Sequence, residues 1–279
     1  MSQVTPVSER HRLSKAAKAS TTLLALLVGL PFLFYSVSWC RDPLQLGKHP
    51  PYATPSWGVP LGADELGRDI LGRVFMAGGL SLAVAVGAVL AAWVMAVALG
   101  AFAAWRSGSL GARSAGYFID LMQTIPFIVL AVALAAVFQP GFVGIALLMG
   151  VVASAAPARV VSAELRQARS SRYVTAQMAL GHPPWLVFRT AFLPRLVLPP
   201  AIWLLLVLPE LLTVDAGLSL FGLGAQPPVP SLGRMIYDGL NQAQAGWWLP
   251  TAPILILVCL VVVSHFVTGY LRKLLPGTV

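Results

Sequence analysis

Four ionisable side chains lie within or at the ends of long apolar runs in this sequence and are its first candidates for chemistry. They are Asp120, Glu210, Asp215 and His265. A charge in hydrocarbon costs about 2.5–3.5 kcal/mol on insertion scales, so such residues commonly line a path or pair with a neighbouring helix. We interpret the three carboxylates as candidates for a translocation path, with solvation or pairing between helices as the alternative for each. We expect His265 to be a packed, hydrogen-bonded side chain.

No motif for catalysis, metal binding or nucleotide binding is present in the sequence. The histidines do not form an H-E-x-x-H pair, and no G-x-S-x-G or G-x-x-x-x-G-K-[ST] segment occurs. Cys40 and Cys259 are far apart and have no metal-ligand spacing. We therefore expect that the chain is not an enzyme and carries no catalytic residue, metal or cofactor. It cannot hydrolyse ATP in the P-loop manner.

Composition indicates an integral membrane protein. Of 279 residues, 57% are apolar and 10% are charged, and the mean hydropathy is +0.79. Soluble domains are about 25% charged. The net charge of +9 would suggest nucleic acid in a soluble protein. In a membrane protein, basic residues collect in cytoplasmic loops instead. We therefore expect membrane lipid, and no nucleic acid, around this chain.

The apolar runs predict an all-α, polytopic protein with about six membrane-spanning helices. The expected segments are a cytoplasmic N-terminal segment at 1–18, a first span at 19–40, an extracytoplasmic loop at 41–73 and a membrane core at 74–275 with a cytoplasmic loop at 162–195. The first run is too long for a cleaved signal core, so we expect it to be retained. Within the core we expect spans at 74–105 and at 114–138, a span that ends near 158, a span that begins near 196, and a last span at 249–271.

The distribution of basic residues predicts the orientation. Six spans leave four, two, six and two Lys/Arg in the N-terminus, the 106–113 turn, the 159–195 loop and the C-terminus. These fourteen basic residues lie on one side of the membrane, and the other five lie on the opposite side. Positive residues face the cytoplasm, so both termini and the 162–195 loop are predicted to be cytoplasmic.

The segment 173–194 interrupts the apolar second half of the chain. Its sequence, YVTAQMALGHPPWLVFRTAFLP, predicts a short helix that ends near Gly181 and a turn at Pro183–Pro184. Basic residues surround it. A helix–turn–helix between spans on the positively charged side indicates a docking element for a cytoplasmic partner.

Three segments together resemble the permease subunits of bacterial binding-protein-dependent ABC importers, and most closely the C-type subunit of the dipeptide/oligopeptide/nickel branch. Residues 61–82, LGADELGRDILGRVFMAGGLSL, are similar to an LGTDxxGRDxxSR segment, and residues 216–235, AGLSLFGLGAQPPVPSLGRM, to LSFLGLGxQPPxPxWG. The third segment resembles the family's EAA loop. The matching positions are Tyr173, Ala176, Ala179, Leu180, Gly181 and Pro194. Thr175 and Gln177 stand where the family has Glu and Ala.

The resemblance implies a type I ABC importer permease fold in the bacterial inner membrane, in which the loop 173–194 couples the chain to ATPase subunits. Arg172 and Arg189 are the polar contacts it suggests. The implied partners are a second homologous permease, two cytoplasmic ATPases that bind ATP and Mg²⁺, and an extracytoplasmic substrate-binding protein. The implied substrate is a short peptide or a related solute of the nickel, metal-chelate or opine type.

Two other functional classes remain to be compared with the importer. An ion-coupled secondary transporter would use Glu210 or Asp120 and would need no ATPase, although it leaves the 173–194 loop unexplained. An intramembrane enzyme would need a catalytic pair, for which Asp120 and Asp215 are the candidates.

Overall fold

A computed structural model describes residues 29–38, 40–105, 109–138 and 141–274, and nearly all of them are helical. Between residues 40 and 274 the single β feature in the described part is an isolated bridge. The helices are α1 Gly29–Ser38, α2 Ile70–Trp105, α3 Leu110–Thr124, α4 Phe127–Phe138, α5 Phe142–Ala153, α6 Ala155–Arg169, α7 Arg172–Ala179, α8 Pro184–Val187, α9 Leu193–Leu220, α10 Leu232–Asn241 and α11 Trp248–Leu274. The prediction of an all-α, polytopic protein is confirmed.

Three stretches are long and apolar enough to cross a membrane as they stand: Ile70–Ala104, Pro184–Leu220 and Trp248–Tyr270. Two bent helix pairs, α3 with α4 and α5 with α6, bring the number to as many as five. Helix α1 is the described end of the predicted first span, and residues 1–28 lie outside the described residues. The count of six spans and the cytoplasmic placement of the termini stay predictions.

The predicted span at 114–138 is a bent pair and not one straight helix. Helices α3 and α4 meet at an angle of 100°. Ile125 has an extended backbone, with φ −94° and ψ 131°, and it precedes Pro126. Proline disfavours helical geometry in the residue before it and has no N–H for the helical ladder. The apolar stretch around Pro126, which has no charged residue from 121 to 138, concealed this break.

Helix α2 begins four residues before the predicted start of the membrane core at 74. The Asp69 carboxylate accepts a hydrogen bond from the Leu71 amide at 3.1 Å, which satisfies a donor of the first helical turn. Asp69 is itself 1% exposed and forms an ion pair with Arg41 at 3.2 Å. The carboxylate therefore ends the preceding loop and starts the span.

Two compact units can be distinguished, and each is described by itself. The first contains the described residues up to Val86 together with those from Pro209 onward. Its loop before α2 is folded around Asp64, which accepts hydrogen bonds from the amides of Leu66 and Arg68 and an ion pair from the Arg68 side chain at 2.6 Å.

Helices α10 and α11 pack together in the same unit. Ser231 caps α10 by accepting from the Arg234 amide, and a Cβ on Gly233 would clash with the Ala216 carbonyl of α9. The segment after α9 therefore folds back tightly onto it. This region lies between the predicted spans that begin near 196 and at 249, and no helix was predicted in it.

The second unit, Gly87–Leu208, is built on close approaches between α2, α5 and α6. A Cβ on Gly150 of α5 would lie 2.5 Å from the Ala91 Cβ of α2. A Cβ on Gly100 of α2 would lie 2.5 Å from the Ala158 carbonyl oxygen and 2.7 Å from the Val161 Cβ, both of α6. Small residues let helix backbones approach closely in a membrane, where van der Waals packing drives association.

Gly100→Ala is expected to destabilise the purified chain, because the added methyl group has no room between α2 and α6. Overpacking of this kind costs about 1–3 kcal/mol. Gly269→Ala is the matched control, since Gly269 lies in α11 with no atom within 4 Å of a Cβ. Thermal unfolding in detergent should show a lower apparent Tm for Gly100→Ala alone. Equal Tm values for the two variants would contradict the close approach.

Candidate functional site

The short helix predicted in the segment 173–194 is α7, and it begins at a polar cap. The Ser171 hydroxyl accepts a hydrogen bond from the Val174 amide at 3.3 Å, in the manner typical of helix N-termini. Thr175, where the resemblance to the EAA loop leads us to expect Glu, is exposed and donates its hydroxyl to the Ser171 carbonyl at 3.3 Å. This residue therefore supports the first turn of the helix and contributes no charge.

Helix α7 ends at Gly181 in a Schellman motif. The Gly181 amide donates to the Met178 carbonyl at 3.0 Å and the His182 amide to the Gln177 carbonyl at 3.2 Å. These are the two bonds that define the motif. Gly181 has φ +75°, a region that side-chain-bearing residues rarely occupy. A Cβ there would meet no atom within 4 Å, so backbone conformation alone demands the glycine.

After the turn, the chain resumes a helical course that continues to Leu220. Pro184 is the first residue of α8, where its missing N–H is not needed. A single π-helical turn, Phe188–Phe192, then joins α8 to α9, and the Leu193 amide bonds the Phe188 carbonyl. Pro194 follows directly and has no N–H to donate to Thr190. π-turns inside helices are often found at functional sites.

An apolar cluster joins α7 and the start of the α8–α9 helix to α2 and α6. We call it the anchor cluster; its buried members are Ala104, Val161, Leu165, Ala168, Val174, Val187, Ala191 and Phe192. Val161 and Ala168 have no exposed surface, and Val174 is 3% exposed. Because protein interiors are close-packed, groups held in this way transmit displacement instead of absorbing it.

Gln177, where the resemblance to the EAA loop leads us to expect Ala, bridges two parts of the loop. Its amide donates to the Tyr173 hydroxyl at 2.6 Å, and its carbonyl oxygen lies 3.2 Å from the Thr190 hydroxyl. Thr190 also bonds the Leu186 carbonyl at 2.7 Å. The side chain therefore links α7 to the π-turn on the outer side of the anchor cluster.

The surface of the loop that faces away from the anchor cluster is exposed and rich in large apolar side chains. We call it the docking face, and its large apolar members are Tyr173, Met178, Leu180, Trp185 and Phe188. Leu180 is 76% exposed and Trp185 62%.

The small and charged residues singled out in the loop are exposed as well. The exposed residues of this group are Arg172, Ala176, Ala179, Gly181, Arg189 and Pro194. The structure thus brings the predicted loop residues together on one exposed element.

The three intramembrane carboxylates lie in different surroundings. Asp120 of α3 pairs with Arg159 of α6, and both side chains are more than half exposed. Glu210 of α9 is exposed. Asp215, five residues further along α9, is buried and accepts a hydrogen bond from Ser81. The structure does not group these residues, and a path role for any of them stays a prediction.

Within the described ranges, no group of three or more His, Cys, Asp or Glu side chains could hold a metal ion. Cys40 and Cys259 are both free thiols. His265 is exposed on α11, so the expectation that its side chain is packed is wrong.

Comparison with characterised proteins gives peptide permeases as relatives. The chain is 29% identical to the di/tripeptide transport system permease protein DppC of Pseudomonas aeruginosa (strain UCBPP-PA14), over 91% of this chain and 85% of that protein. It is 29% identical to the dipeptide transport system permease protein DppC of Escherichia coli (strain K12), over 98% and 93%. For the oligopeptide permease OppC of Haemophilus influenzae (strain ATCC 51907 / DSM 11121 / KW20 / Rd), the identity is 25%, over 94% and 84%.

A chain of the inward-facing MetNI methionine ABC transporter is similar in fold. The TM-score is 0.51 at 20% sequence identity, covering 70% of this chain and 93% of that chain. At this identity the similarity concerns the fold alone.

A family model settles the class. Residues 96–276 match the model described as "Binding-protein-dependent transport system inner membrane component". This finding places the apolar helices in the inner membrane as a multi-pass protein, and it gives no support to the secondary-transporter alternative. The chain therefore belongs to the family of inner membrane components of binding-protein-dependent transport systems, as a permease subunit and not an enzyme.

Proposed function

We propose that this permease imports short peptides, driven by ATP hydrolysis in separate ATPase subunits that bind the docking face. The observation that carries the proposal is an exposed, largely apolar face on a short element whose inner side is anchored to two helices of the membrane core. Family membership and the names of the relatives support the substrate class.

The composition of the docking face favours a protein partner. Large exposed apolar patches rimmed by polar residues mark interaction sites, and aromatic residues, Met and Arg are enriched at interfaces. The face presents Tyr173, Trp185 and Met178 beside Arg172 and Arg189. By the positive-inside rule this loop is cytoplasmic, which is where an ATPase would bind it.

The anchor cluster supplies the connection from this face to the membrane core. Val174 on the inner side of α7 and Val187 of α8 lie in the same cluster as Val161 and Leu165 of α6. A partner that displaces α7 would therefore move α6 and the end of α2 with it. Gly181 provides the turn that ends α7, and the helix restarts at Pro184.

The rest of the assembly follows from this proposal. A second, homologous permease completes the membrane path, and two cytoplasmic ATPases bind ATP and Mg²⁺, which this chain has no motif to bind. An extracytoplasmic substrate-binding protein meets the loop at 41–73 and the region 218–248. Asp120, Glu210 and Asp215 are the candidates for the path. Both termini, including the segment 1–18, are cytoplasmic in this arrangement.

Leu180→Asp should weaken the association of the permease with its ATPase subunits, because a carboxylate would replace an apolar contact at the edge of the docking face. Hot-spot residues at interfaces commonly contribute about 2 kcal/mol or more, a change of about 30-fold in affinity. The measurement is co-purification of tagged permease with ATPase from solubilised membranes. Leu46→Asp is the control, since Leu46 is 66% exposed in the extracytoplasmic loop. Loss of ATPase with Leu46→Asp, or retention with Leu180→Asp, would contradict the proposed docking.

Peptide uptake by the complete importer in proteoliposomes tests the function itself. Uptake of a labelled dipeptide should require the binding protein and hydrolysable ATP, and an excess of chelated nickel should not compete. Gly181→Val should reduce uptake, because a side chain at positive φ costs about 1–2 kcal/mol, which is a factor of about 5–30 in the population of the turn.

Gly181→Asn is the matched control, because Asn tolerates this conformation and the site has room for it. It should retain most of the uptake. The proposal fails if an ion gradient drives uptake without ATP, or if Gly181→Val transports as well as Gly181→Asn in an equally assembled complex.

A further inference from the structure

Helices α3 and α6 pack against each other in the second unit, and their charged residues follow one antiparallel register. The Asp120–Arg159 ion pair sets this register. Arg113 lies seven residues before Asp120 on α3, and Arg166 lies seven residues after Arg159 on α6. Two turns of helix are about seven residues, so the two arginines fall at the same level, one on each helix.

Arg113 and Arg166 line one cavity of about 320 Å³. Tyr117, Asp120 and the small residues Ala103, Ala112 and Gly116 form the rest of the wall. These small residues fill little of the space that the two arginines border. The cavity lies entirely within the second unit, between α3, α6 and the end of α2.

The cavity has an excess of positive charge. Its one lining carboxylate is Asp120, which already pairs with Arg159. In the part of the chain that the structure describes, neither Arg113 nor Arg166 makes an ion pair. The connection from α2 to α3, residues 106–109, also contains no carboxylate in its sequence. Both arginines are exposed at this cavity. Like charges that border one cavity repel each other, and a bound anion would offset that repulsion.

The surroundings indicate that this anion carries acyl chains. Leu110, Tyr117, Phe118 and Leu121 of α3 are exposed, so the helix that supplies Arg113 also presents apolar surface. In the proposed orientation the cavity lies near the cytoplasmic surface of the bilayer, where anionic lipids are found and where basic pockets between helices bind lipid head groups. A tyrosine beside the cavity suits the same interface.

We propose that Arg113 and Arg166 bind the phosphate of an anionic phospholipid, which bridges α3 and α6 at the cytoplasmic side. The orientation of the site rests on the proposed function, but binding of lipid can be measured without transport. Bidentate arginine–phosphate pairs are strong and directional. A lipid held in this way would fix the end of α6, the helix that leads into the loop 173–194.

Native mass spectrometry of the purified full-length chain tests this site. With phosphatidylglycerol and phosphatidylcholine of identical acyl chains supplied together, phosphatidylglycerol should be retained preferentially. Arg113→Gln/Arg166→Gln should weaken that retention by about tenfold or more. The control for lipid binding is Arg172→Gln/Arg189→Gln, which removes two exposed cations from the same unit outside the cavity and should leave retention unchanged.

Two further arms identify the source of the anion. Glycerophosphoglycerol, which has the same head group without acyl chains, and inorganic phosphate should both fail to displace the lipid at equal concentration. Arg113→Lys/Arg166→Lys should restore part of the retention, because the charge is kept. Equal retention of the two lipids, unchanged retention in the double Gln variant, equal loss in the control or displacement by inorganic phosphate would each overturn the proposal.

Discussion

The packing of one apolar cluster makes the loop 173–194 part of the membrane core. The inner side of α7 contributes Val174 to the anchor cluster, and the start of the following helix contributes Val187 and Phe192. They meet Val161 and Leu165 of α6 on the other side. A helix of eight residues is too short to be stable alone, so the existence of α7 depends on this contact.

The backbone conformation at both ends of α7 places the anchor cluster and the docking face on opposite sides of the same short element. The cap at Ser171 and the turn at Gly181 define the ends of α7, and the π-turn before Pro194 lets the next helix continue into the membrane. Between α2 and α6, the absence of a side chain at Gly100 allows the backbones to approach. The loop is thereby held on its inner side by packing and on its outer side by Gln177 and Thr190.

Much of this arrangement could be predicted from the sequence, because its signals are local. The break at Gly181 and the helix before it both arise from neighbouring residues. The bend at Pro126 was missed because apolar composition outweighed one proline within a long run. The bridge from Gln177 to Thr190 was missed because it joins positions thirteen residues apart across a turn, and residue type alone carries no signal for it.

The central claim is that α7 moves together with α6 when the importer changes state. It is tested most directly by measuring the distance between spin labels at Gln167→Cys on α6 and His182→Cys just after α7, both exposed positions. Cys40→Ser and Cys259→Ser provide the background, and the labelled importer must transport normally. The distance distribution should be the same in the nucleotide-free and ATP-bound complexes. A shift of several ångströms between those states would show that α7 moves independently of α6 and would contradict the account.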